Sequence, residues 1–315
     1  MSASRFTKIL MAGCICFLLC FSMSACNESD ETDSHPSGAY FQNHPLPIGK
    51  GRLRLLAIGN SFTDDALYFV CNMLGNLGVD ADTYSVYIAA HEAASLKQWP
   101  DVVNNESMLN LYYCGGKRMD VETGTLKQLL AQPWDVVVLT QYSGDAINYK
   151  TFNPWLHYMI DAIQQYCLNP EVTLVWQMAW SYNDTHVTTY SNYERWSLIA
   201  HATQQMMQND GIDVLIPVGT AIQNARNTAL NSESQLTRDG WHLNEGVGRY
   251  IAACTVIQSL FAPVYGISIL DNSLQLDLPE TSSQLYPPEP VTDENRSLCH
   301  QCVLNAILQP FKVVM

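Results

Sequence analysis

From residue 51 to about 270 the chain alternates short β-rich apolar runs with longer amphipathic stretches, and this alternation restricts the fold more than any other feature. Residues 54–58, 82–89, 136–139, 172–177 and 214–217 have strand length and composition. Helical periodicity predicts helices over 64–77, 126–131, 154–167, 190–210, 219–230 and 245–260. Four of the five strand candidates are continuously apolar, as strands covered by helices on both faces must be. The expected fold is therefore one α/β domain with a parallel sheet, whose ligands bind beyond the carboxyl ends of the strands. A strap over 271–290 and a last helix starting after Thr292 and stopping near Pro310 complete it, with Leu298, Cys302, Ala306 and Leu308 predicted as that helix's buried stripe.

The first strand candidate stops at Gly59-Asn60-Ser61, and an amphipathic segment follows at once. Ser61 thus stands at a strand-to-helix corner, beside free helix N–H groups that suit a nucleophile and a developing oxyanion. Ser61 or Thr63 could equally serve only as a helix cap. Far downstream, Asp239-Gly240-Trp241-His242 precedes a well-patterned helix. Asp-x-x-His lets a carboxylate and an imidazole project from one turn, the aspartate holding the ring's tautomer while the other nitrogen faces a hydroxyl. Singly, Asp239 could close a turn and His242 could make structural bonds alone.

With these two blocks in the order Ser…Asp…His, the chain resembles the SGNH (GDSL-like) hydrolase superfamily. It is most similar to a branch found in exported bacterial lipoproteins, in which Gly-Asn-Ser-Phe opens the site and Asp-Gly-Trp-His-Leu closes it; Trp176-Gln177-Met178-Ala179-Trp180-Ser181-Tyr182 also resembles that branch. The resemblance runs over roughly residues 52–310. It implies a three-layer α/β/α flavodoxin-like fold, Ser61 as nucleophile, His242 as base and Asp239 as its orienting partner. The superfamily holds the oxyanion with the serine N–H, a glycine N–H and an asparagine amide. Ala93 stands at the glycine's place, where its N–H can serve if φ is negative but a positive φ is costly. Gln141 replaces the asparagine and is expected either to donate its amide to the oxyanion or to bond backbone only. Trp180 and Tyr182 are candidate cleft-lining residues as well as candidate core, and Trp241 is expected to anchor its turn rather than touch substrate.

Arg5 and Lys8 precede an apolar run from Ile9 to Phe21 that is too short to span a bilayer and reads as a secretory signal. Ser22-Met23-Ser24-Ala25-Cys26 resembles a bacterial lipobox, so residues 1–25 are expected to be removed, Cys26 lipidated and 26–50 left as a flexible tether to a domain spanning 51–315. Cleavage nearby by an ordinary signal peptidase is the alternative. The expected location is the bacterial outer membrane, facing either the periplasm or the outside. Loss of Arg5 and Lys8 leaves 14 basic against 30 acidic side chains, with no basic stripe, which argues against a nucleic-acid partner.

Six cysteines follow the lipobox: Cys71, Cys114, Cys167, Cys254, Cys299 and Cys302. An exported chain can pair them, but they form no small-domain framework. Cys299-His300-Gln301-Cys302 invites a metal or redox reading, yet it lies in a helical pattern without a second ligand pair, so buried cysteines or one local disulfide are expected. The function expected from the whole is a lipid-anchored serine esterase for small acyl esters, such as acetyl groups on carbohydrate, with no cofactor. The alternative is a non-catalytic glycan-binding lipoprotein on the same fold, suggested by Ala93 and Gln141. Oligomeric state is open.

Overall fold

The computed structural model describes residues 46–105, 110–113, 117–118, 125–186, 189–276, 278 and 285–314. The predicted leader, Cys26, most of the tether, Cys114 and much of the strap lie outside the described residues. Among the described residues seven strands form one sheet: β1 (Leu53–Gly59), β2 (Tyr84–Ala90), β3 (Asn110–Tyr113), β4 (Lys117–Arg118), β5 (Val136–Leu139), β6 (Thr173–Gln177) and β7 (Val214–Ile216). Their order is β4-β3-β2-β1-β5-β6-β7. The five strands foreseen from sequence, β2-β1-β5-β6-β7, are mutually parallel, and β3 and β4 extend the β2 edge antiparallel. This is the expected α/β architecture with its central parallel sheet. Its strand order switches direction at β1, between β2 and β5, so the crevice at the carboxyl ends of these three strands is the fold's natural binding place.

The helices are α1 (Ser61–Leu67), α2 (Val70–Asn76), α3 (Trp99–Asn104), α4 (Leu126–Leu130), α5 (Trp155–Tyr166), α6 (Asn192–Asn209), α7 (Val218–Arg226), α8 (Val247–Val256), α9 (Ala262–Tyr265) and α10 (Asp293–Leu308). One group packs α3, α4 and α5 together; another gathers α1, α2, α7 and α10 around α8. Buried between helices, β5, β6 and β7 have no exposed position, which is why they read as unbroken apolar runs. Helical backbone continues from Val247 to Tyr265 through a π-turn, and 89% of this apolar stretch is buried in the protein. It is a core helix, apolar all round because it is covered all round.

Several expectations shift. The single predicted helix over 64–77 is two, and it begins at Ser61 itself. Leu46 is buried in the core, so folded structure reaches back into the segment assigned to the tether. Thr292 caps α10 as expected, but the buried stripe is Cys299, His300, Cys302, Val303, Ala306 and Ile307, while Leu308 is exposed. Cys71 is disulfide-bonded. Cys299 and Cys302 are free, and burial pushes both thiols up to about 12, where they are inert.

Candidate active site

Gly59 ends β1 in a place where only glycine fits, since a Cβ there would sit 2.0 Å from Thr63 Oγ1 and 2.9 Å from Thr140 Cγ2. The chain turns sharply, and Asn60 caps α1 by accepting the Phe62 N–H at 3.0 Å. Capping thus falls to Asn60, leaving the Ser61 hydroxyl for other work. Asn60 also donates its Nδ2 to the Ala94 carbonyl at 3.2 Å, and the His91 N–H bonds the Gly59 carbonyl at 2.9 Å. These bonds fasten the segment after β2 against the start of α1.

Asp239 and His242 lie in a tight loop closed by the Arg238 N–H to His242 carbonyl bond, 2.9 Å, and by a bridge between Thr237 and Leu243. Gly240 lets the loop turn, with φ +99, a conformation that other residues rarely adopt. Asp239 Oδ1 accepts the backbone N–H groups of Trp241 at 3.0 Å and His242 at 2.8 Å. Its Oδ2 takes the His242 Nδ1–H at 2.6 Å. Burial alone would raise the Asp239 carboxyl, but the bonds from the His242 ring and from these two N–H groups outweigh it and hold the acid at about 2. An ionised acceptor on Nδ1 leaves Nε2 unprotonated in the neutral ring, and Nε2 stands 2.9 Å from Ser61 Oγ. The serine O–H therefore donates to His242, which donates to Asp239. Residues 181 positions apart meet in one relay.

Asp65, not singled out from sequence, holds the two pieces together. It is fully buried, and its carboxylate takes Arg238 Nη1 at 2.8 and 2.9 Å, Arg249 Nε at 2.8 Å and the Leu243 N–H at 2.9 Å. Arg238 also donates to the Leu243 carbonyl at 2.7 Å, and the Arg249 guanidinium lies 4.1 Å from the Tyr68 ring centre. One buried carboxylate on α1 thus fixes both flanks of the His242 loop. An acid one turn after the serine and an arginine just before Asp239 were the only signal for it, and such residues usually belong to a solvated helix face.

The expected oxyanion donors fare differently. Neither the Ser61 nor the Ala93 N–H makes a backbone hydrogen bond among the described residues, so both remain free to donate. Ala93 has φ +52: it keeps a glycine-like backbone at a steric cost, contrary to the negative φ that would suit alanine. Gln141 is corrected. Its side chain is buried, its Oε1 accepts Leu96 N–H at 2.9 Å and Tyr142 N–H at 2.8 Å, and its Nε2 faces the Thr151 carbonyl and hydroxyl at 3.2 and 3.3 Å. The amide ties three loops together and is turned away from an oxyanion role.

Trp180 and Tyr182 are corrected as well. Trp180 is fully buried, stacked on Phe62 at 3.9 Å, with its Nε1 donating to the Trp241 carbonyl at 2.7 Å. It braces the residue after Ser61 against the residue before His242. Tyr182 carries the Arg195 guanidinium 3.8 Å from its ring centre and shares a 2.9 Å hydrogen bond with Ser143, so ring and hydroxyl are both engaged. In place of these two, Trp241 presents an exposed ring beside the relay.

Comparison with known proteins places this geometry in context. Residues 54–284 match the family described as domain of unknown function DUF4886. A crystal structure of a DUF4886 family protein from Bacteroides uniformis is similar at TM-score 0.67 and 25% identity, covering 84% of this chain and 97% of that one. More distant likenesses are a candidate GDSL-like lipase from Parabacteroides merdae, with TM-score 0.49, 12% identity and coverage of 68% and 98%, and a candidate SGNH hydrolase from Slackia heliotrinireducens, with TM-score 0.47, 19% identity and coverage of 66% and 98%. No curated protein matches the chain.

Proposed function

This chain belongs to the DUF4886 family, and we propose that it is a serine esterase that hydrolyses small acyl esters, among them acetyl groups on carbohydrate. The observation that carries this reading is the continuous relay from Ser61 Oγ through His242 to Asp239, at 2.9 and 2.6 Å. Ser61 Oγ attacks the ester carbonyl carbon and passes its proton to His242 Nε2. The resulting oxyanion rests against the Ser61 and Ala93 N–H groups, and the ionised Asp239 stabilises the imidazolium. Collapse breaks the bond to the alcohol oxygen, which leaves with the proton from His242. Water then attacks the acyl-serine, His242 takes a proton from it, and the carboxylic acid departs as Ser61 regains its hydrogen.

The test compares hydrolysis of p-nitrophenyl acetate by the wild-type protein and Ser61→Ala, together with labelling by a fluorophosphonate probe. Wild-type turnover should exceed that of Ser61→Ala by about 10⁴-fold, and only the wild type should be labelled. Equal rates and absent labelling would end the esterase reading. If glycan binding then survived Ser61→Ala unchanged, a non-catalytic binding protein would take its place. The anchoring of the domain to a membrane through a lipid on Cys26 belongs to the same proposal and rests on the Ser22–Cys26 lipobox alone.

A further inference from the structure

Trp241 sits between the two residues that run the relay, and its backbone and side chain do different things. Its N–H is bound by Asp239 Oδ1 at 3.0 Å and its carbonyl by Trp180 Nε1 at 2.7 Å, so the main chain is held at both ends. Trp241 is 39% exposed, whereas Trp99, Trp134, Trp176, Trp180 and Trp196 are all buried. Leaving so large an apolar side chain partly in water forgoes part of the hydrophobic stabilisation that burial would bring. Nothing in the backbone bonding of the turn requires that side chain.

The ring's surroundings specify what it suits. His186 meets it edge-on at 4.4 Å between ring centres, and the His242 ring lies 6.1 Å away, almost perpendicular. Thr185, the residue before His186, is exposed; its hydroxyl donates to Asn183 Oδ1 at 2.9 Å and lies 3.3 Å from that of Tyr286. The partly exposed ring is therefore bordered by two imidazoles, those of His186 and His242. A lipid surface would call for a larger contiguous apolar patch than one ring offers. A sugar ring, with one face of C–H groups and a rim of hydroxyls, matches a single aromatic face with polar neighbours.

Position adds the role. In ester hydrolysis the departing alcohol oxygen receives its proton from the histidine, so the alcohol portion of the substrate lies beside the imidazole. Trp241 is the exposed ring next to that imidazole. We propose that Trp241, backed by His186, is the subsite that binds the alcohol portion of the ester, and that this portion is a sugar ring. The assignment rests on the esterase reading and adds the residue that selects the substrate.

The experiment measures kcat/KM for an acetylated methyl xylopyranoside and for ethyl acetate with wild type, Trp241→Ala and Trp241→Phe, using Ser61→Ala as the baseline. Trp241→Ala should lower the ratio of sugar ester to ethyl acetate by about tenfold, through KM for the sugar ester, and Trp241→Phe should keep the ratio within about threefold of wild type. An unchanged ratio in Trp241→Ala, or a phenylalanine variant as poor as the alanine one, would overturn the subsite. Should wild type and Ser61→Ala hydrolyse both esters equally, the esterase reading fails by itself. Calorimetric titration with unacetylated methyl xylopyranoside then decides the subsite alone: binding by wild type that Trp241→Ala loses supports it, and no binding by wild type overturns it.

Discussion

Asp65 is the residue on which the relay most depends without belonging to it. Its carboxylate is shared by Arg238, Arg249 and the Leu243 N–H in a buried place, so deleting its charge strands two guanidinium groups away from water. Asp65→Asn should cost about 3–5 kcal/mol, read as a lowered midpoint in urea, and should reduce kcat even well below the new transition, because the His242 loop loses its brace. Ala93 makes the opposite prediction. Holding alanine at φ +52 costs about 1–2 kcal/mol; glycine relieves that strain but loses part of the gain to its larger unfolded-chain entropy, so Ala93→Gly should raise stability by about 0.5–1 kcal/mol in the same titration while preserving turnover. The two residues explain what was and was not legible at this scale. Ser61, Asp239 and His242 announce themselves because their spacing relative to a strand end and a helix start is local. Asp65 does not, because only its distant partners distinguish it from an ordinary surface acid. Gln141 was misplaced for a related reason: an amide has donors and an acceptor, and which of them a loop consumes depends on neighbours at Leu96 and Thr151.

Among the elements, α10 shows how a sequence motif can mislead about its chemistry while marking its burial. Cys299-His300-Gln301-Cys302 presents both thiols and the imidazole to the core, where α10 packs on α7 and α8. His300 Nε2 shares a 2.8 Å hydrogen bond with the Tyr250 hydroxyl, and burial, with Arg296 nearby, pushes its pKa down to about 4. An unfolded histidine binds its proton near about 6.5. Between these values the unfolded chain holds the extra proton, so native stability falls as pH drops from about 6.5 to about 4 and is unaffected by this group above that window. The loss amounts to at most about 3 kcal/mol. His300→Asn should flatten this part of the stability profile, measured as urea midpoints from pH 7 to 4; an unaltered slope would refute it. The helix itself was legible, with Thr292 accepting the Asn295 N–H at its start. Its buried face was legible in part: Cys302 and Ala306 are buried as expected, but Leu298 is only half-buried and Leu308 exposed, while His300, Val303 and Ile307 take the remaining buried places.

At the scale of the molecule, the site exists because the sheet reverses its strand order at β1. The carboxyl ends of β2, β1 and β5 therefore deliver His91–Leu96, Asn60–Ser61 and Thr140–Gln141 to one rim, and the loop before α8 folds back onto it. The full chain makes a further prediction beyond this domain. If Cys26 carries a lipid, the mature protein should partition into the detergent phase of a Triton X-114 extract and incorporate labelled palmitate, and Cys26→Ser should lose both; a wild-type protein found wholly in the aqueous phase would exclude the anchor. What the sequence alone determined was the five parallel strands, most of the helices and the reactive residue types, since strand burial, helix periodicity, capping and Asp-x-x-His spacing are written within a few residues of one another. The antiparallel pair β3 and β4, the choice of Asp65 as brace, the burial of Trp180 and the exposure of Trp241 were decided only by tertiary structure. Burial and pairing belong to the contacts a side chain makes across the fold, and those contacts are set by residues scores of positions away.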